Sequence, residues 1–209
     1  MLSLDYARLA ATPIAIEPFP HLLVPRFVPE AELGGVFAGL PVIEKGGSFP
    51  IESVRVSGAA RDLVRELEGE RFRALVADRF DLDLTGAPTM LTLRGQSREK
   101  DGQIHCDSTS KRVTILLYLN APAAHWDRQE GCLRLLRGPD DIEDYAVEVP
   151  PVSGTLLVFP NGPTTWHGHK TFVGPRYVFQ LNYMQNDRLA RAELRRHKVS
   201  ALVKRLSAA

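Results

Sequence analysis

The chain has few cysteines. Cys106 and Cys132 are the only two in 209 residues, which argues against a disulfide framework. Long apolar runs are also missing: no stretch approaches the roughly 20 residues of a membrane span. The opening MLSLDYARLAATPIAIEPFP lacks the basic start and extended apolar core of a signal peptide, so a cytoplasmic location is expected. Charge of one sign does not dominate either. A net charge of +1 gives no global argument for a nucleic-acid or membrane partner. With no repeat, low-complexity tract or linker, one domain over residues 1–209 is the expectation, and a hydrophobic fraction of 44% is enough for its core.

What is present divides the chain into three parts. Residues 1–87 read as a support region. It holds a proline-interrupted strand around His21 to Val24, a helix over Glu30 to Leu40 opened by Pro29, and a second helix over Gly58 to Arg79. In that second helix Val64, Leu67, Phe72, Leu75 and Val76 supply the apolar face. Residues 88–185 change character, with short strands at Met90–Leu93, Arg112–Leu119, Cys132–Leu136, Tyr145–Val149, Gly154–Phe159 and Tyr177–Met184. A run of this kind predicts a sandwich or barrel, mainly β with flanking helices. Residues 187–206 return to a helical pattern that is basic, yet lacks the interleaved aromatics of a nucleic-acid surface.

The chemistry sits in the strand-rich part. His105 and Asp107 flank Cys106 just before a strand, and on an extended segment they share a face that Cys106 does not. Cys106 is therefore read as a packing residue, although its thiolate is an alternative ligand. A third ligand must come from far away in sequence. Both His167 and His169 of Trp166-His-Gly-His lie on one face and either could supply it. Two imidazoles and a carboxylate with open positions are the ligand set of non-heme Fe(II) oxygenases. A chelating 2-oxo acid can fill two open positions and dioxygen another. Arg176 then offers the always-charged, forked partner that the far carboxylate of 2-oxoglutarate requires. Arg94, Gln96, Arg98 and Lys100 precede the motif as a polar stretch, either a solvated loop or a lid. Arg112 and Arg134 fit structural ion pairs in the framework as well as they fit substrate contacts. His21 reads as structural, and His125 and His197 as surface residues.

These pieces together resemble the prolyl-4-hydroxylase-like branch of the Fe(II)/2-oxoglutarate-dependent dioxygenases. The resemblance rests on His105-Cys-Asp107, Arg112-Val-Thr-Ile-Leu-Leu-Tyr-Leu-Asn120, Glu130-Gly-Cys-Leu-Arg134, Pro151-Val-Ser-Gly-Thr-Leu-Leu-Val-Phe159, and His167 with Arg176. It implies a double-stranded β-helix (jelly-roll) core braced by N-terminal helices and a C-terminal helix. It also implies iron on His105, Asp107 and His167, with the spacing from His167 to Arg176 favouring His167 over His169, which then either supports a metal ligand from behind or faces substrate. By the same resemblance Arg176 binds 2-oxoglutarate and Tyr118 assists by hydrogen bonding, while Gln180, Leu116 and Leu133 line the pocket. The implied reaction hydroxylates a C–H bond of a protein side chain or a small metabolite. It consumes O2 and 2-oxoglutarate, releases succinate and CO2, and admits ascorbate as an accessory reductant. Glu130-Gly131 stands where the family often has Gly-Gly. Arg94 stands near the place of a tyrosine in many prolyl hydroxylases, so an acidic substrate, or an altered cosubstrate pose, is an open reading. Two other classes compete: a non-catalytic metal- or ligand-binding β-helix sensor, and a zinc hydrolase, which leaves Arg176 without a role.

Overall fold

The computed structural model describes residues 2–120, 126, 129–193 and 195–196. Four helices, α1 (Tyr6–Ala11), α2 (Glu30–Ala38), α3 (Gly58–Glu68) and α4 (Glu70–Phe80), come before most of the strands. The strands are β1 (Leu22–Val24), β2 (Phe49–Pro50), β3 (Thr89–Ser97), β4 (Lys111–Tyr118), β5 (Leu133–Leu136), β6 (Tyr145–Val149), β7 (Leu156–Pro160), β8 (His167–His169) and β9 (Gly174–Met184). They form two antiparallel sheets, one ordered β1-β7-β4-β9-β3-β2 and the other β6-β5-β8. This is the jelly-roll core that the strand pattern and the resemblance implied.

Register assigns every side chain of the larger sheet to one of two faces. Leu93 opposes Phe179, Val113 opposes Tyr183, and Ile115 opposes both Val158 and Leu181. This outer face packs against Leu63, Leu67, Phe72 and Val76 of the helices in one large apolar cluster. The helices thus brace the sheet, as expected. The inner face carries Thr114, Leu116 and Tyr118 of β4 against Asn182, Gln180 and Val178 of β9. Leu133, Leu135 and Val149 of the smaller sheet close over it, forming a second cluster with Leu116, Tyr118, Leu157, Phe159 and Val178.

Three expectations need correction. The helix expected over Gly58 to Arg79 breaks at Gly69, whose backbone is extended (φ −74°, ψ 157°), giving α3 and α4. Five residues separate Leu67 from Phe72, about 140° around a continuous helix, so burying both requires the break, and glycine makes it cheap. The strand expected over Met90–Leu93 runs on to Ser97, so Arg94 and Gln96 lie in the sheet and not in a lid. Pro29 caps α2 from outside, its carbonyl accepting from the Glu32 amide, in place of opening its first turn. At the other end, residues 187–193 are helical, while most of the stretch expected to continue to Leu206 lies outside the described residues, as do His125 and His197. Among the described residues no helix is long and apolar enough to cross a membrane.

Candidate metal and cosubstrate site

His105 precedes β4 on an extended segment that bridges antiparallel to β8, with backbone hydrogen bonds of 3.0 Å in both directions between His105 and His167. This pairing brings together residues 62 apart in sequence. Ligand atoms of His105, Asp107 and His167 all lie within 4.8 Å of one another. Nδ1 of His105 donates to the Gln103 carbonyl (2.8 Å) and Nδ1 of His167 to the Thr165 carbonyl (2.9 Å), which leaves Nε2 of each ring as the ligand atom. Burial pushes His167 down to about 4, against the opposing pull of Asp107, so its ring is neutral at pH 7. Burial raises the Asp107 carboxyl, but Lys111, His167 and the hydrogen bonds it accepts outweigh that and hold it below the usual carboxylate range. A neutral imidazole and an ionised carboxylate are the forms a metal ion needs.

The carboxylate is fixed from below. Thr114 Oγ1 donates to Asp107 Oδ2 (2.6 Å) and Lys111 Nζ to Oδ1 (2.6 Å). Thr114 in turn accepts from Asn182 Nδ2 (2.9 Å) and Asn161 Nδ2 (2.9 Å). With about four lone-pair sites, the carboxylate keeps capacity for a cation beside these partners.

One cavity is lined by His105 and His167 together with Arg94, Leu116, Tyr118, Leu133, His169, Arg176, Val178 and Gln180. Arg176 is buried and donates Nε to the Gly131 carbonyl (2.9 Å); its terminal nitrogens make no hydrogen bond to a described residue. Its guanidinium carbon lies 5.4 Å from the centroid of the Tyr118 ring. The Tyr118 hydroxyl is buried without a hydrogen-bond partner. Burial raises its pKa; Arg176 tempers that rise while remaining outside hydrogen-bond geometry, so the hydroxyl keeps its proton. An unpartnered O–H donor beside a buried cation suits a bound carboxylate. Elsewhere a cavity of about 900 Å³ between α2 and the Phe172 and Tyr177 segments is far larger than this one, at about 70 Å³, but among the described residues no histidine or cysteine lines it.

Residues 94–184 match the model of the 2OG-Fe(II) oxygenase superfamily. The match spans the strand-rich part of the chain that holds this cavity, and it makes that part similar to the superfamily. That superfamily uses Fe(II), 2-oxoglutarate and O2. The fold is shared with a prolyl-4-hydroxylase from Pseudomonas putida, at TM-score 0.61 and 18% identity over 89% of this chain and 99% of that one. It is shared too with a prolyl hydroxylase from Trichoplax adhaerens, solved with a hypoxia inducible factor oxygen degradation domain peptide (TM-score 0.55, 19% identity, 82% and 86% of the two chains). A third similar structure, HygX from Streptomyces hygroscopicus, holds nickel and 2-oxoglutarate (TM-score 0.51, 14% identity, 78% and 82%). No curated protein sequence matches the chain.

Of the residues singled out in the sequence, Arg94, His105, Leu116, Tyr118, Leu133, His167, His169, Arg176 and Gln180 line this cavity, and Asp107 stands beside its two histidines. His167, not His169, stands with His105 and Asp107. His169 lines the cavity one strand step away, its Nδ1 bonded to the Lys170 carbonyl (2.8 Å). Burial, with Arg176 and Arg94 adding to it, pushes His169 down to about 4. Cys106 stays out of the ligand group and points its thiol at the Pro163 carbonyl. Gly102 has φ +92°, and a Cβ there would lie 2.5 Å from the His169 ring, so only glycine lets the approach to the motif run this close to β8. Arg134 is a structural ion-pair residue: fully buried, it meets Glu148 at 2.7 Å and Glu143 at 2.9 Å. Arg112 has no ion pair among the described residues. His21 is buried with Nδ1 against the Phe19 carbonyl, a structural role. Thr114, Lys111 and Asn182 were missed. Their signal was the two-residue period, which places a polar Thr114 on the face of Leu116 and Tyr118.

Proposed function

We propose that this domain is a 2-oxoglutarate-dependent hydroxylase, with Fe(II) held by His105, Asp107 and His167 and the cosubstrate anchored by Arg176. The observation that carries the reading is the convergence of two fixed imidazoles, one fixed carboxylate, a buried guanidinium and an orphan tyrosine hydroxyl on one cavity. Three protein ligands leave positions for a bidentate 2-oxo acid and O2. When bound, that set supplies an oxidant for an unactivated C–H bond, with one oxygen atom going to the product and one to succinate as CO2 leaves.

The protein's own share is positional. Arg176 pairs with the far carboxylate of 2-oxoglutarate through its two terminal nitrogens, and the Tyr118 O–H donates to the same end. Leu116, Leu133 and Val178 wall that end off from water, which strengthens both interactions. Phe159 packs edge-on against His167, at 5.2 Å between ring centroids, and holds the ring in place. His105 is exposed while His167 is buried, so substrate approaches across His105. Similarity to prolyl hydroxylases supports hydroxylation of a protein side chain; the same cavity also suits a small metabolite.

An anaerobic titration of the Fe(II)-loaded protein with 2-oxoglutarate tests the reading. The weak visible charge-transfer band of a chelated 2-oxo acid should grow and saturate. In Arg176→Ala it should need at least about tenfold more cosubstrate, the cost of losing a charge-assisted carboxylate pair. Absence of the band at any concentration defeats the proposal; a band with unchanged affinity in Arg176→Ala removes Arg176 as the anchor.

A further inference from the structure

The oxygenase cavity contains a cation that the proposed chemistry leaves unused. Arg94 opposes Val178 across β3 and β9, so by the two-residue period it shares the inner face with Arg176 and Gln180. It lines the same cavity as His105, His167 and His169. The strand register shifts between Arg94 and Gln96. The residue between them, Gly95, would carry a Cβ only 2.6 Å from Ile43 and 3.1 Å from the Tyr177 ring. The irregularity is therefore held by close packing against two separate segments. Such irregularities re-aim the side chains beside them.

The charges around Arg94 do not balance. Asp101 is the carboxylate within its reach, at 3.4 Å, beyond hydrogen-bond distance. Arg98 already holds that carboxylate from both sides, with Nε to Oδ2 at 3.1 Å and Nη2 to Oδ1 at 2.9 Å, and its backbone amide adds a third bond at 2.9 Å. Two guanidinium groups thus share one carboxylate. The Arg94 side chain is only 31% exposed, and it makes no hydrogen bond among the described residues. A partly desolvated guanidinium without full partners is costly unless an anion completes it. 2-Oxoglutarate is not that anion, because its two carboxylates are committed, one to Arg176 and one to the metal chelate.

We propose that Arg94 anchors a carboxylate of the primary substrate, so that the molecule hydroxylated at this site is an anion. This rests on the oxygenase reading above. The guanidinium fork matches a carboxylate geometrically and already leans toward one in Asp101. The C–H bond to be oxidised then lies between Arg94 and the metal ligands. The carboxylate belongs either to a free acid or to an Asp or Glu side chain of a peptide.

The experiment uses the full chain loaded with Fe(II) and 2-oxoglutarate. Two probe sets are offered: N-acetyl amino acids as free acids and as primary amides, and an Asp/Glu-containing peptide beside its Asn/Gln counterpart. Perturbation of the anaerobic charge-transfer band reports binding. A mass gain of one oxygen under O2 reports turnover. The expected result is a response to at least one acid and none to its amide. Arg94→Gln should weaken that response at least about tenfold while leaving the 2-oxoglutarate midpoint within about twofold, and Arg94→Lys should restore part of it. Response confined to free acids assigns a metabolite, and response confined to the acidic peptide assigns a protein side chain; either supports the proposal. Amides acting as well as acids, an intact band that no acid perturbs, or an Arg94→Gln change in 2-oxoglutarate affinity like that of Arg176→Ala would each overturn it. A missing band in the parent protein instead sinks the oxygenase reading itself, so the two failures are told apart.

Discussion

Thr114 does with one hydroxyl what a metal-binding carboxylate needs done. Its proton goes to Asp107, and its lone pairs receive amide protons from Asn182 and Asn161, which fixes the direction of that donation. Thr114 is 1% exposed and Asn182 fully buried, so water cannot replace either partner. Thr114→Val keeps the shape and removes the donor. Metal affinity should fall roughly 10- to 100-fold, the usual cost of losing a group that orients a ligand. The amide donors of the two asparagines also lose an acceptor, which should cost about 1–3 kcal/mol of stability in the metal-free protein. Metal titration with a competing chelator and urea unfolding measure the two effects separately; unchanged metal affinity would show that Thr114 serves packing alone.

Between elements, Asn120 makes a three-way tie just past the end of β4, where it closes the Tyr-Leu-Asn tripeptide. Its Nδ2 donates to the carbonyls of Pro151 (2.9 Å) and Tyr177 (2.8 Å), and its Oδ1 accepts from the Tyr177 amide. One side chain therefore joins the end of β4, the start of β9 next to Arg176, and the segment leading into β7. Asn120→Ala should cost about 3 kcal/mol, because it leaves buried backbone groups without partners. Unfolding in urea would show it, and a loss below about 1 kcal/mol would mean that the tie is redundant. The sequence made the motif visible, yet only the fold shows that its tyrosine and its asparagine have different tasks. The same division holds more widely. The strands around Ile115, Leu157 and Phe179 were legible because alternation and turn residues are local signals, and His105 with Asp107 was legible because their spacing alone puts them on one face. Gly69 was passed over because charged residues on both sides of it keep up a helical rhythm. Strand β8 is three residues long, too short for any period to separate His167 from His169; the resemblance favoured His167 by its spacing to Arg176, and the bridge from His105 to His167 sets that histidine beside His105. The position of Arg94 depended on an irregularity near Gly95, where the controlling contacts come from Ile43 and Tyr177, distant in sequence.

For the whole molecule, the cavity concentrates groups whose protonation differs between the folded and unfolded chain. His167 and His169 titrate near 4 when folded, against an ordinary value of 6.5 when unfolded, chiefly because burial penalises the imidazolium. At pH values between about 4 and 6.5 the unfolded chain therefore binds more protons, and stability must fall as pH falls. The slope approaches about 1.4 kcal/mol per pH unit for each histidine and flattens once the folded state protonates too. Asp107 acts in the same direction but lower: its folded pKa is depressed below 3.8, so the stability it contributes is present above that value and is lost on further acidification. The metal-free protein should thus be stable near neutrality and lose stability in two stages, first through the histidines and then through the carboxylate. Chemical unfolding at half-unit steps from pH 7.5 to 4.5, with chelator present to remove metal linkage, would trace the first stage. His169→Gln removes one of the two titrating rings without touching the proposed ligands, so it should flatten the slope by up to about half. A slope unchanged in that variant would mean that His169 takes up its proton in the folded state as readily as in the unfolded one, and that the desolvation argued for this cavity is wrong.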